Sequence, residues 1–588
     1  MDELTTVASR TSESVLRVEA SAFSYLLRKE IPKLMAAVVS QIAKYVLLIL
    51  MVLFTVETFM VLRRQSEESR RRIMRKQIGL MVLFNIVCYG VMFLNTMDPL
   101  MFVMLVCMLL YLLVVQVLYR IIYRRASLIL LNTMCMMLSI GMVIQSRLDM
   151  DTARKQFIIA AGSTMICFVI PVFIRRVRWV SKLTWLYAVV GVCLLGVVLL
   201  FGRISGGANL SVSIGGVTFA FSEFVKITFV LFVAGMLQER HDFRRVVIVT
   251  IVAAIHVGIL ALSADLGAAL IYFVAWIVMV FVATRQPAYA VLGVGGMAGA
   301  SVIGYRMFDH IRVRVEIWKD PLSDYQGNGY QLAQALFGIC AGGWFGTGLC
   351  QGHPDMIPLA FEDFTFAAIC EEFGILFGIC LIILCMGMYL LIVNIAFRLD
   401  RPFYKLVAMG LGTEYMFQVF LTVGGTTKFI PMTGITLPLI SYGGSSLVCT
   451  IIMISIIQGL YMIRHDEDEE IRRRRREEER RAREAQMGYR PQNGYGPQNG
   501  YGPQDSYGAQ NGRAYGAGAV DDLRQNGISR DRRKKPVRNT YDLSRDRTQQ
   551  DAYMQDVANQ SGESDDLSEK IEKQAREDLA LRKHGSGK

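Results

Sequence analysis

Charge is scarce in this chain: 19% of its 588 residues are charged, against 53% that are apolar. The scarcity is uneven. Up to about residue 463, charges stand in short clusters between long apolar runs; beyond it apolar clusters almost vanish. A water-soluble globule would need many buried helices of unusual length, and that class is set aside. Cysteine pairs spaced as CxxC are absent, which removes the usual zinc and redox motifs. Cys88, Cys107, Cys135, Cys167, Cys193, Cys380, Cys385 and Cys449 lie within apolar runs, as small hydrophobes. Cys340 and Cys350 share a loop and are expected as free thiols. The N-terminus MDELTTVASRTSESV lacks the basic-then-apolar order of a cleaved leader, so the first span is expected to stay as an anchor. Basic residues interleaved with stacking aromatics are also missing. The net charge of +13 therefore points to anionic lipid and topology rather than to nucleic acid.

What is present is a set of apolar runs of membrane-spanning length. They fall near 45–62, 78–94, 99–119, 128–145, 157–174, 184–202, 219–237, 246–262, 266–283, 288–305, 366–397, 403–423 and 440–463. The chain reads as an all-α polytopic membrane protein. The run at 366–397 is long for one span and carries Glu371 and Glu372, so its start is expected to tilt or to enter a polar region. Alternate loops hold 21 Lys and Arg in one set and roughly nine in the other, and the richer set is assigned to the cytoplasm. The basic tail then lies inside and residues 1–44 outside, unless that segment lies along the membrane.

This orientation puts Asp265 at the outer face, in a short turn between two spans. The long loop 306–362 shares that face. The segment GGTTKFIPMTGITLPLISYGGSS, residues 424–446, has too much glycine and proline for a plain helix and is expected to re-enter the membrane there. Arg312, Arg314 and Lys319 make the start of the long loop cationic; Glu362, Asp363, Glu371 and Glu372 make its end acidic. Arg offers phosphate a planar fork of donors. In SEFVK, Glu223 and Lys226 share a helix face and suit an ion pair within the membrane, structural or functional. His256, in mid-span, is expected as a hydrogen-bonded interior histidine. Asp265 also suits an N-cap.

Four segments together resemble the SEDS family of peptidoglycan polymerases, the FtsW, RodA and SpoVE type. They are SADLGAAL (263–270), YQLAQALFGICAGGWFGTGLCQG (330–352), EDFTFAAICEEFG (362–374) and PMTGITLPLISYGGSS (431–446), with SEFVK a weaker fifth. The resemblance covers roughly 128–463 and ten spans. It leaves three extra spans over 45–127 and a tail over 464–588. There are departures: Ser263-Ala264 stand where the family has Gln-Pro, Ala220-Phe221 where it has Gln-Pro before the Ser-Glu, and Thr422 where it has Asn. The loop 202–216 lacks the family's Trp.

The resemblance implies polymerisation of lipid II into β-1,4 glycan strands at the outer face of the bacterial cytoplasmic membrane, in elongation, division or sporulation. Asp265 matches the family's essential aspartate. It would act as the base on the acceptor hydroxyl or hold a magnesium or manganese ion against the pyrophosphate; no organic cofactor is implied. Arg312, Arg314 and Lys428 are candidates for phosphate contact. Glu371, Glu372, Ser441, Gly443 and Gly444 are expected to shape the substrate cavity. A class B penicillin-binding protein is the implied transpeptidase partner. A lipid II flippase and a catalytically silent scaffold are the competing readings. The tail carries HDEDEEIRRRRREEERRAREAQ, a GYGPQN-type repeat over 488–511 and SEKIEKQAREDLALRK. Its charged block suits an exposed helix extension or disorder; the tail as a whole is expected to be disordered and cytoplasmic, its last stretch suiting a division or elongation scaffold.

Overall fold

The structure, a computed structural model, describes residues 31–488 apart from Gln65, Arg178, 206–207, 215–216 and 240–241. Its helices are α1 (Ile31–Arg63), α2 (Glu67–Thr96), α3 (Pro99–Ile122), α4 (Leu128–Leu148), α5 (Met150–Cys167), α6 (Ile170–Arg176) and α7 (Thr184–Phe201). After a small sheet come α8 (Phe221–Leu237), α9 (Phe243–Leu262), α10 (Leu266–Thr284), α11 (Pro287–Met307), α12 (Asp309–Lys319) and α13 (Tyr330–Gly342). The last four are α14 (Thr365–Phe373), α15 (Ile375–Phe397), α16 (Pro402–Thr426) and α17 (Gly444–Gly488). Twelve helices among the described residues are long and apolar enough to cross a membrane. α8, with 17 residues, stands where the sequence places one further span. The chain is a multi-pass membrane protein.

Three details refine the sequence expectation. The loop after α7 is not helical: β1 (Arg203–Ser205), β2 (Ala208–Ile214) and β3 (Val217–Phe219) pair antiparallel in the order β1-β2-β3. SVSI and VTF bring β-branched residues, with Gly-Gly between the strands in sequence. At the other end the charged block takes the helical of its two readings: α17 runs on to Gly488, so the boundary at 464 moves outward. Pairs one turn apart, Arg474–Glu470 at 2.7 Å and Arg473–Glu477 at 3.0 Å, support that charged extension. The repeats and the last stretch lie outside the described residues. Residues 31–44 already belong to α1 rather than to a separate segment.

α4 is the buried axis. Apolar on every side, it has 18 of its 21 residues buried. Its polar residues find partners on the extra N-terminal helices. Asn132 donates to Gln77 Oε1 of α2 at 3.0 Å and accepts from Gln116 of α3 at 2.8 Å. Asn85 of α2 donates to Ser139 at 3.0 Å. α1 packs along α15, and its Gln41 and Lys44 donate to the carbonyls of Thr347 and Gly346 at 2.6 and 3.1 Å. All eleven cysteines are free.

The long run at 366–397 breaks at Gly374, which has φ +90° and separates α14 from α15. Gly346, at φ +82°, lies against it. A Cβ on either glycine would collide with the other strand of backbone. Ile375 N–H donates to Gly343 O at 3.0 Å and Thr347 N–H to Glu371 O at 2.9 Å. These bonds clamp the glycine-rich loop onto the break.

Candidate active site at the turn before α10

α9 ends at Leu262, and Ala264 reverses the chain at φ +60°. Proline, fixed near φ −65°, has no access to that conformation. The Ser-Ala that replaces the family's Gln-Pro is therefore matched to this turn. Asp265 follows as the N-cap of α10, Oδ1 accepting from Ala268 N–H at 3.1 Å. The residue is 8% exposed. Burial raises its pKa above the ordinary carboxylate value, and nearby Glu223 adds to the rise; the Ala268 N–H, Ser222 and Lys226 oppose it.

Two groups of residues meet at this turn. On one side the start of α8 brings Glu223 and Lys226, paired at 2.6 Å, with Lys226 also donating to Gln418 of α16 at 2.8 Å. Gln418 donates in turn to Thr436 O at 3.0 Å and Ser446 Oγ at 3.2 Å. Glu414, one turn before Gln418, borders a small cavity together with Glu223, Lys226 and Gln418. Tyr272 of α10 donates to Ser222 O at 2.7 Å and fixes α8 against α10.

On the other side α12 lies over the irregular segment 427–443. Arg314 donates to Met432 O at 3.2 Å and Trp318 to Lys428 O at 3.2 Å. The Arg314 guanidinium lies within electrostatic reach of both Asp265 and Asp363. Burial and neighbouring Glu362 push Asp363 up to about 6, against the pull of Arg314. Lys428 holds φ +60°, and its ammonium has no partner among the described residues. Thr422 donates to Ile435 O at 2.8 Å and secures the segment from below.

The structure thus brings together Asp265, Arg314, Glu223 and Lys226, with Lys428 on the covering segment. It does not bring the rest. Arg312 is exposed and paired with Asp309 at 3.3 Å. Glu371 Oε1 accepts from His353 N–H at 2.6 Å; Glu372 Oε1 accepts from Arg147 at 2.8 Å and Cys350 N–H at 3.2 Å. Burial pushes Glu372 up to about 7, against Arg147. Both carboxylates fasten the loop. Ser441 accepts from Leu437 N–H and donates to Thr365 Oγ1, at 3.1 and 3.0 Å. Gly443 and Gly444 lead into α17, against Thr436 and Ile159. His256 Nδ1 bonds its own helix at Val252 O, 2.8 Å away. Glu414 and Gln418 are residues that sequence reasoning did not name, and Asp363 it named only within the acidic end of the long loop. A carboxylate in mid-span was the available signal for Glu414; Gln418 carried none.

A polytopic helical protein with a buried carboxylate at a helix turn defines a class, and comparison with known proteins narrows it. The cell cycle protein model FtsW/RodA/SpoVE matches residues 119–466. The chain belongs to that family. It is 30% identical over 358 residues to the peptidoglycan glycosyltransferase RodA of Mycobacterium tuberculosis, covering 56% of this chain and 76% of the relative. It is 30% identical to the stage V sporulation protein E of Bacillus subtilis, covering 52% and 85%. A chain of a solved structure, described as structural coordination of polymerization and crosslinking by a peptidoglycan synthase complex, shares the fold. Its TM-score is 0.51 at 24% identity, covering 58% of this chain and 98% of that one.

Proposed function

We propose that the chain is a peptidoglycan glycosyltransferase that polymerises lipid II at the outer face of the cytoplasmic membrane, with the C-terminal tail inside. The observation that carries the reading is Asp265, buried at a helix turn with a raised pKa and flanked by Arg314. Relatives named as peptidoglycan glycosyltransferases support the reaction class.

Asp265 accepts the proton of the acceptor 4-hydroxyl. That oxygen attacks C1 of the donor sugar from the face opposite the pyrophosphate. The C1–O bond breaks, its electron pair leaves on the pyrophosphate, and the α linkage becomes β. Pyrophosphate leaves readily, so one carboxylate suffices, and the raised pKa makes it a better base. Arg314 and Lys428 counter charge on the leaving group. Among the described residues no three His, Cys, Asp or Glu side chains converge. A magnesium or manganese ion would take Asp265 as its protein ligand and the rest from pyrophosphate and water, lowering charge repulsion. A class B transpeptidase is the expected partner, and the tail is the place for a cytoplasmic scaffold.

The buried polar set around Glu223, Lys226 and Glu414 favours a flippase as the second reading, because transport needs a polar route through the membrane. The test supplies purified lipid II to the full chain in detergent and in vesicles, with and without magnesium and a transpeptidase. Glycan polymer supports the polymerase. Transfer of lipid II across vesicles without polymer supports the flippase. Neither activity leaves the scaffold.

A further inference from the structure

A large cavity lies away from Asp265. About 1330 Å³ in volume, it is walled by the end of α1, the start of α2, the α3–α4 link, the end of α15 and the charged half of α17. Every one of these segments belongs to the face that the basic loops assign to the cytoplasm. Twelve arginines line it against three carboxylates. Each carboxylate already has a partner: Glu469 holds Arg125 at 2.6 Å, Glu477 holds Arg473 at 3.0 Å, and Asp468 faces Arg464 at 3.8 Å. Arg63, Arg71, Arg124, Arg398, Arg472 and Arg476 have no side-chain partner among the described residues. Like charges gathered around one space repel each other, and the fold holds them there from five separate elements.

The inner wall is different. Val61, Ile129 and Leu391 are buried together, with Leu62 and Met74 packed on them, at the depth where the spans begin. A ligand that suits both walls carries several phosphate charges and an apolar body. Guanidinium groups bind phosphate oxygens in pairs. We propose that this cavity binds a multiply charged phosphate group, the chemistry of a two-phosphate lipid headgroup or of a free polyphosphate. The ligand joins the three N-terminal helices to α17 by neutralising arginines from both. This site is separate from the glycosyl-transfer reading and stands or falls without it.

The test uses the full chain in neutral detergent. Bound lipid is read by native mass spectrometry after exposure to cardiolipin or phosphatidylcholine, with tripolyphosphate as a soluble competitor. Three variants accompany the wild type. One carries Arg63→Gln, Arg71→Gln, Arg124→Gln and Arg398→Gln. A second carries lysine at those four positions. A control removes the same charge on the same face outside the cavity, as Arg176→Gln, Arg244→Gln, Arg285→Gln and Arg475→Gln.

The wild type is expected to retain cardiolipin over phosphatidylcholine. The cavity glutamine variant should lose at least about tenfold in affinity, the lysine variant much less, and the control little. Tripolyphosphate that displaces cardiolipin assigns the site to headgroup phosphate. Tripolyphosphate binding that depends on the four arginines, without cardiolipin preference, assigns it to a free polyphosphate. Equal loss in the cavity and control variants would overturn the proposal, as would a cavity variant that binds like the wild type. Because the wild-type preference is read first, misfolding of a variant cannot rescue a wild type that shows none.

Discussion

Asp265 combines two roles that usually separate: its Oδ1 caps α10 while burial raises the affinity of the carboxyl for a proton. A base must be ionised to work, so polymerisation falls as pH drops through the raised pKa. The acid limb of the rate profile should lie above the ordinary value of 3.8. Arg314→Met removes a neighbouring positive charge, and the limb should move to higher pH. Initial rates against pH for both proteins check this; an unmoved limb would separate Arg314 from the base.

Asp363 gives a stability prediction of definite sign. Its folded pKa of about 6 exceeds the ordinary 3.8, so between those values the folded protein holds a proton that the unfolded chain has released. The stabilisation is full below about 3.8 and is lost as pH rises through about 6. Asp363→Asn should flatten melting temperature over that window. In the Glu223–Lys226 pair the lysine is buried and the glutamate nearly so, the side chains 8% and 15% exposed. Lys226→Met strands a carboxylate and should cost about 3 kcal/mol, with part of the loss recovered when Glu223→Gln is added.

At the scale of elements, the break at Gly374 decides how the long loop meets the spans. Gly374→Ala adds a Cβ against the backbone of Gly346 at a positive φ. It should cost about 1–3 kcal/mol and release the loop clamp, seen as faster proteolysis within 343–353. The run at 366–397 signalled something irregular by its length and its two glutamates, but it did not say where the helix stops. That depends on Gly346 packing behind Gly374, a contact between residues 28 apart in sequence. Spans were legible because length and apolarity are local properties. Asp265 was legible because it stands alone between apolar runs. The roles of Glu371 and Glu372 were not, since only the folded loop shows their oxygens taken by His353, Cys350 and Arg147. The strands after α7 were hidden in a short glycine-rich loop.

For the molecule as a whole, the three N-terminal helices are part of the core rather than an appendage. They cover α4 and satisfy its Asn132 and Ser139 with buried side chains of α2 and α3. Removing residues 1–127 would expose that helix and leave those polar groups unpaired. The truncated chain should lose monodispersity in detergent on size-exclusion chromatography, and the full chain should elute as a single species; equal monodispersity of both would contradict a core role for these helices.

The central claim is that Asp265 does chemistry beyond holding a helix end. Asparagine caps a helix about as well as aspartate but cannot take a proton from a hydroxyl. Polymerisation of purified lipid II by Asp265→Asn, beside the wild type at matched melting temperature, tests the claim most directly. The account predicts glycan strands from the wild type and none from the variant. Strands of equal amount and length from both would contradict it and leave Asp265 as a cap.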